Sequence, residues 1–149
     1  MSTKRVYLDV CVLCRPFDDQ QQARIRLETE ALALILAHIR ESGCNLMISP
    51  VHHAEIGAIH QPEERQHLQL LLEHLGTHTS YNLSATRQRA EALAKMGMGV
   101  ADAAHIAFAE HAKAEFITVD DKLLKQCTKW VTTIWFGSPL AYCEKENLR

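Results

Sequence analysis

The sequence predicts an α/β fold: a central, mostly parallel sheet covered by helices on both faces, in three layers. Three observations carry this. Short β-branched and aromatic runs such as V-Y-L-D-V (6–10) and F-I-T-V (116–119) read as strands. Longer stretches with helical periodicity separate them, and that alternation means crossover units and parallel pairing. The run Val100 to Ala112 is helical yet apolar almost all round, as a buried helix must be.

In chain order, Val6–Val10 is the first strand, followed by a polar turn around Pro16, Asp18 and Asp19. A long helix is expected from about Gln20 to Glu41. Its Ile25, Leu32, Ile35, Leu36 and Ile39 recur at three- and four-residue spacing, and Gly43 suits a left-handed cap. Leu46–Ile48 is a second strand. Ser49-Pro50 then starts a helix, with Ser as N-cap and Pro at the first helical position. Pro62 starts another, with Leu68, Leu71, Leu72 and Leu75 on one face and Gly76 at its end. Thr77–Tyr81 is an expected edge strand. Ser84 caps a helix to Met96, broken by Gly97-Met98-Gly99. Beyond the buried helix, Phe116–Val119 and Val131–Phe136 are the last strands.

The chain of 149 residues is expected to form one domain over 1–149, large enough to bury a core without staples. With 16 Lys+Arg against 18 Asp+Glu it is no nonspecific coat for nucleic acid, although a nuclease with a local basic rim remains open. No apolar run reaches the roughly 18 residues of a membrane span. The start lacks a signal-peptide core, so a cytoplasmic location is expected. Five irregularly spaced Cys suit reduced thiols better than a disulfide framework.

The chain has six Asp, and their positions are informative. Asp9 interrupts the first strand run. Asp102 interrupts the apolar start of the buried helix, and Asp120 and Asp121 follow directly on Phe116–Val119. Glu55 lies in the first turns of the helix after the second strand. Open parallel sheets bind ligands at the carboxyl ends of their strands, where Asp9, Glu55 and Asp120 all fall. Each also has a plainer use: Asp120 and Asp121 as helix caps, Asp102 as a partner for a helix dipole, Glu55 as a solvated residue. Asp9 is the hardest to explain that way, because a carboxylate in a strand needs a partner. Carboxylates gathered on one rim raise one another's pKa unless a cation offsets them, and such hard oxygen donors suit Mg²⁺ or Mn²⁺.

Four segments, Y-L-D-V-C (7–11), S-P-V-H-H-A-E-I (49–56), V-A-D-A-A-H-I-A-F-A (100–109) and F-I-T-V-D-D (116–121), resemble in order and spacing the motifs of PIN-domain nucleases. That family includes the VapC toxins of bacterial toxin–antitoxin pairs. The resemblance covers nearly the whole chain. It implies an α/β/α sandwich and metal-dependent cleavage of single-stranded or looped RNA, hence an endoribonuclease. It places the acidic residues at Asp9, Glu55, Asp102 and Asp120. Asp9, Asp102 and Asp120 would hold one or two Mg²⁺ or Mn²⁺ ions, with Glu55 helping directly or through water. Thr118 matches the small hydroxyl residue two before the last Asp. A small antitoxin partner and a homodimer are further implications. The Leu-rich faces of 20–41 and 63–75 also exceed what one sheet face needs.

Cys11 departs from the pattern, standing where the family often has Asn or Ser, and a thiol is a poorer partner for a hard cation. A PIN-fold binding or scaffold protein with a spoiled site is therefore one alternative. Arg15, a short loop beyond Asp9, suits either a phosphate contact or an ion pair with Asp18 or Asp19. Cys11-Val12-Leu13-Cys14 is a C-x-x-C after a strand, so a thiol-redox protein is the other alternative, although the flanks are unlike thioredoxin's. Zinc would need two more ligands, and no second C-x-x-C exists. Of nine His, most are expected at the surface. His105, three residues after Asp102, is read either as a hydrogen-bonded core residue or as one that orients a carboxylate or a water.

Overall fold

The computed structural model describes residues 4–149. Its centre is β1 (Arg5–Leu8), flanked by β2 (Asn45–Met47) and β4 (Glu115–Ile117), with β3 (Gly76–Thr77) and β5 (Phe136–Gly137) outside them. The order is β3-β2-β1-β4-β5 and every pairing is parallel. Register sets Val6 opposite Leu46 and Glu115, and Leu8 opposite Ile117. This is the expected fold class.

Side-chain alternation along the strands divides the core in two. Val6, Leu8, Leu46, Ile48 and Ile117 face α2 (Ala23–Arg40), α4 (Pro62–Leu75) and α8 (Pro139–Glu146). Tyr7, Met47 and Phe116 face the other way, against α5 (Leu83–Lys95), α6 (Val100–Ala112) and α7 (Asp121–Trp130). A one-residue shift in β1 would exchange the two sets, so burial on both faces fixes the register. Leu32 and Ile35 of α2 are fully buried, each stabilising the fold by about 1.5–3 kcal/mol. Short α1 (Val10–Leu13) and a 3₁₀ turn (Arg15–Phe17) follow β1, and α3 (Pro50–Gly57) follows β2. Among the described residues, no helix is long and apolar enough to cross a membrane.

The elements differ from expectation at several ends. The strand stops at Leu8, because Asp9 is already the N-cap of α1 and Val10 is helical. The long helix begins at Ala23 rather than Gln20, since Gln20 turns its side-chain amide onto the Arg15 and Asp18 carbonyls. Its left-handed residue is Ser42 (φ 64°), not Gly43. Gly43 is needed one position later, where its N–H meets the His38 carbonyl at 2.8 Å and a Cβ would fall on the His38 ring. The edge strand is two residues long, because Tyr81 leaves the ladder to donate to the Ile48 carbonyl. Asn82, not Ser84, caps α5, accepting from the Ala85 N–H at 3.0 Å. Val131–Phe136 is strand only at Phe136, and Thr132 and Thr133 run exposed. The Pro50 and Pro62 helix starts and the full span of α6 are as the sequence predicts.

Candidate metal centre

The carboxyl ends of β1 and β4 lie side by side; Asp9 follows β1 directly, and Asp120 comes three residues after β4. Asp9 is fixed from several directions. Its N–H donates to the Ile117 carbonyl (2.9 Å), and its Oδ2 accepts from Thr118 Oγ1 (2.8 Å) and from the Cys11 thiol (3.3 Å). Only 6% of Asp9 is exposed. Thr118 Oγ1 also accepts from the Asp120 N–H at 3.2 Å, so one hydroxyl joins the two acidic positions. Asp120 caps α7 through Oδ1, which accepts from the Leu123 N–H at 3.2 Å.

Glu55 projects from α3 and Asp102 from the first turn of α6. Glu55 Oε1 lies 2.6 Å from His105 Nε2, and Asp9 Oδ1 lies 3.9 Å from the same nitrogen. One ligand atom from each of Asp9, Glu55 and His105 lies within 4.8 Å of the others. Asp102 is pushed up to about 6, first by burial and then by the charges of Asp9 and Asp120, with Glu55 adding to them and His105 opposing. Asp9, Glu55 and Asp120 thus all act on Asp102, while the close cluster of ligand atoms comprises Asp9, Glu55 and His105 and does not include Asp102 or Asp120. A half-buried acid raised by its neighbours is what an uncompensated acidic cluster produces, and a divalent cation fits it.

Cys11 occupies the place expected for Asn or Ser and bonds to Asp9 and to Thr118 Oγ1 (3.4 Å). Burial pushes its thiol far up, and the Asp9 charge adds to that; Cys14 is pushed up to about 12, mainly by burial. A redox C-x-x-C needs a lowered thiol, and these two are shifted the opposite way. Arg15 pairs with Asp18 (2.8 Å), one of the two partners expected, and with Glu28 (2.9 Å). Asp121 stays on the surface, its carboxylate held by Arg24 (2.8 Å).

Two buried polar residues escaped the sequence reading. Glu28 is 3% exposed and accepts from both Arg15 Nε and Arg24 Nε. His52, expected at the surface, is fully buried beneath β1. The Ser49 N–H donates to its Nδ1 (3.1 Å), so Nε2 carries the proton and donates to the Leu8 carbonyl (2.7 Å). Burial, helped by His105, drives its pKa down to about 3, so the ring is neutral. Tyr7 OH lies 2.6 Å from both Ser49 Oγ and His105 Nδ1. His105 is thus a buried residue with a contact at each ring nitrogen, Tyr7 OH at one and Glu55 Oε1 at the other. The one available signal was helical spacing, which puts His52 and Glu55 three apart.

No protein-family model matches the chain, and no curated protein does. Solved structures do. FitAcB from Neisseria gonorrhoeae is 14% identical with a TM-score of 0.52, over 91% of this chain and 98% of that one. VapBC2 from Rickettsia felis, solved bound to a DNA fragment from their promoter, is 11% identical with a TM-score of 0.54, over 90% and 98%. At such identities the likeness is one of fold alone, and the fold, a five-stranded parallel sheet flanked by helices, is PIN-like.

Proposed function

We propose that the chain is a metal-dependent endoribonuclease acting on single-stranded or looped RNA, of the kind that serves as the toxin of a toxin–antitoxin pair. The observation that supports this best is the close cluster of Asp9, Glu55 and His105 at the carboxyl edge, beside Asp102, which burial and the charges of Asp9, Asp120 and Glu55 raise. Asp9, Asp102 and Asp120 hold Mg²⁺ or Mn²⁺, and Glu55 assists. When bound, the ion supplies positive charge to the phosphate and an acidified water. Thr118 and Cys11 fix the Asp9 carboxylate, which spares the site reorganisation when an ion arrives. Asp120 is anchored twice, by its cap to α7 and by its N–H to Thr118.

The partner reading is a small antitoxin and a second copy of the chain. Phe17, Leu27 and Leu70, on the 3₁₀ turn, α2 and α4, are about half exposed, which supports a covered face there. The likeness to FitAcB and VapBC2 supports the same reading.

The test is cleavage of end-labelled single-stranded RNA with Mn²⁺, with Mg²⁺ and with chelator, by wild type and Asp9→Asn. Cleavage that needs the ion and Asp9 supports the proposal. Binding of RNA without ion-dependent cleavage would instead make the chain a PIN-fold binding module.

A further inference from the structure

We infer that His105 is a nitrogen ligand of this centre, and that it tilts the centre toward transition ions such as Co²⁺ and Zn²⁺ over Mg²⁺. The inference rests on the proposed metal site and adds a ligand and an ion preference to it.

Position comes first. His105 Nε2 is 2.6 Å from Glu55 Oε1 and 3.9 Å from Asp9 Oδ1. Two donors that share an ion at about 2.1 Å each sit no more than about 4.2 Å apart. Both separations fall inside that limit, so His105 and the two carboxylates can reach one ion once the Glu55 contact opens by a few tenths of an ångström. The 2.6 Å contact to Glu55 is the one the ion replaces, nitrogen and carboxylate then sharing the cation.

Orientation comes second. The ring is 1% exposed, and its far nitrogen is held by a hydroxyl chain that leads away from the centre. Nδ1 lies 2.6 Å from Tyr7 OH, and Tyr7 OH lies 2.6 Å from Ser49 Oγ. Metal-ligating imidazoles almost always give their other N–H to such a partner, which fixes tautomer and ring plane. A ring bound through Nε2 carries its proton on Nδ1 and donates to the Tyr7 oxygen, whose own proton turns to Ser49 Oγ. Tyr7 is fully buried on the central strand, so this support is rigid.

Chemistry comes third. Mg²⁺ favours oxygen donors and keeps several waters, whereas an imidazole nitrogen suits Zn²⁺, Ni²⁺ or Fe²⁺. Along the first-row series affinity rises from Mn²⁺ to Co²⁺. An all-carboxylate centre gains little from that order; a centre with one nitrogen gains more.

The first measurement needs no variant: electron spin-echo spectra of Mn²⁺ bound to the wild-type protein. Nitrogen modulation from a directly bound imidazole is expected, and its absence overturns the inference. The second is calorimetric titration with Co²⁺ and, separately, Mg²⁺. His105→Gln is expected to weaken Co²⁺ by roughly 10–100-fold and Mg²⁺ by no more than about threefold, with Tyr7→Phe a smaller loss in the same direction. Equal losses for both ions would make His105 only a donor that holds Glu55. A wild-type protein that binds no divalent ion sinks this inference and the proposed nuclease together. One that binds Mn²⁺ and cleaves RNA without nitrogen modulation sinks this inference alone.

Discussion

The two edges of the sheet treat charge in opposite ways. At the amino edge, every strongly placed acid has a base. Arg89 clasps Glu110 (2.7 Å), which also accepts from Thr133, and Lys145 bridges Glu115 and Glu146 (2.7 Å each). That edge also holds a groove of about 950 Å³, lined by Arg89, Glu110 and Trp130 among others. At the carboxyl edge, Asp9 and Glu55 flank one imidazole, and Asp102 is raised by burial first and then by Asp9, Asp120 and Glu55. The edge with this groove is electrostatically compensated, while the acidic one is not. The two ends invite different readings, because a pocket records missing volume, whereas a cluster of acids without bases records a missing charge.

The sharpest way to break this contrast is Asp9→Asn. Losing a ligand that is held by three hydrogen bonds should cut ion-dependent cleavage by roughly 100-fold or more. The apo variant should unfold no lower than apo wild type, since one repelling charge is gone, yet show no rise in melting temperature with Mn²⁺. A full Mn²⁺ shift in the variant would mean that the carboxyl edge lacks the ligand assigned to it.

Glu28→Gln probes the compensated kind of charge within reach of the site. Its buried carboxylate accepts from two arginines, so the neutral amide should cost about 1–3 kcal/mol by chemical denaturation. Mn²⁺ should still raise the melting temperature by the wild-type amount. If both stability and ion response change, the two kinds of charge are coupled.

A smaller effect belongs to pH. His52 has an ordinary value of 6.5 and a folded value of about 3. Between these the unfolded chain binds a proton that the folded chain refuses, so stability falls as pH drops below 6.5. Asp102, raised when folded, acts in the opposite direction over part of that range. Comparison with His52→Gln, which keeps a donor for the Leu8 carbonyl, isolates the histidine. Its melting temperature should decline less steeply from pH 6.5 downward than that of wild type. The smallest effect is expected for Asp121→Asn, exposed and paired with Arg24, which should leave Mn²⁺ binding unchanged in titration.

What was legible in the sequence follows the same division. Asp9 and Asp102 stood out because a carboxylate breaks an apolar run, and that break is visible locally. His52 was invisible because its Leu8 carbonyl partner lies 44 residues away. Glu28 was missed although Arg24 stands only four residues before it, because an i,i+4 pair reads as a solvated helix face and says nothing of burial. The helix α8 went unread, its apolar face of Tyr142 and Cys143 being too short to show periodicity. The last strand was over-read because Val131, Thr132, Thr133 and Ile134 are β-branched, yet without a ladder partner propensity makes no strand.

The pairing of β1 with β4 also has a consequence in time. Asp9 sits near the start of the chain, but its hydrogen-bond partners, the Ile117 carbonyl and the Thr118 hydroxyl, come more than a hundred residues later. A ribosome working at roughly 5–20 residues per second therefore releases the first acidic residue several seconds before the residues that aim it. During that interval β1 can pair only with β2, along one of its two edges. Synthesis thus carries its own delay: the acidic edge closes only when almost the entire chain has emerged.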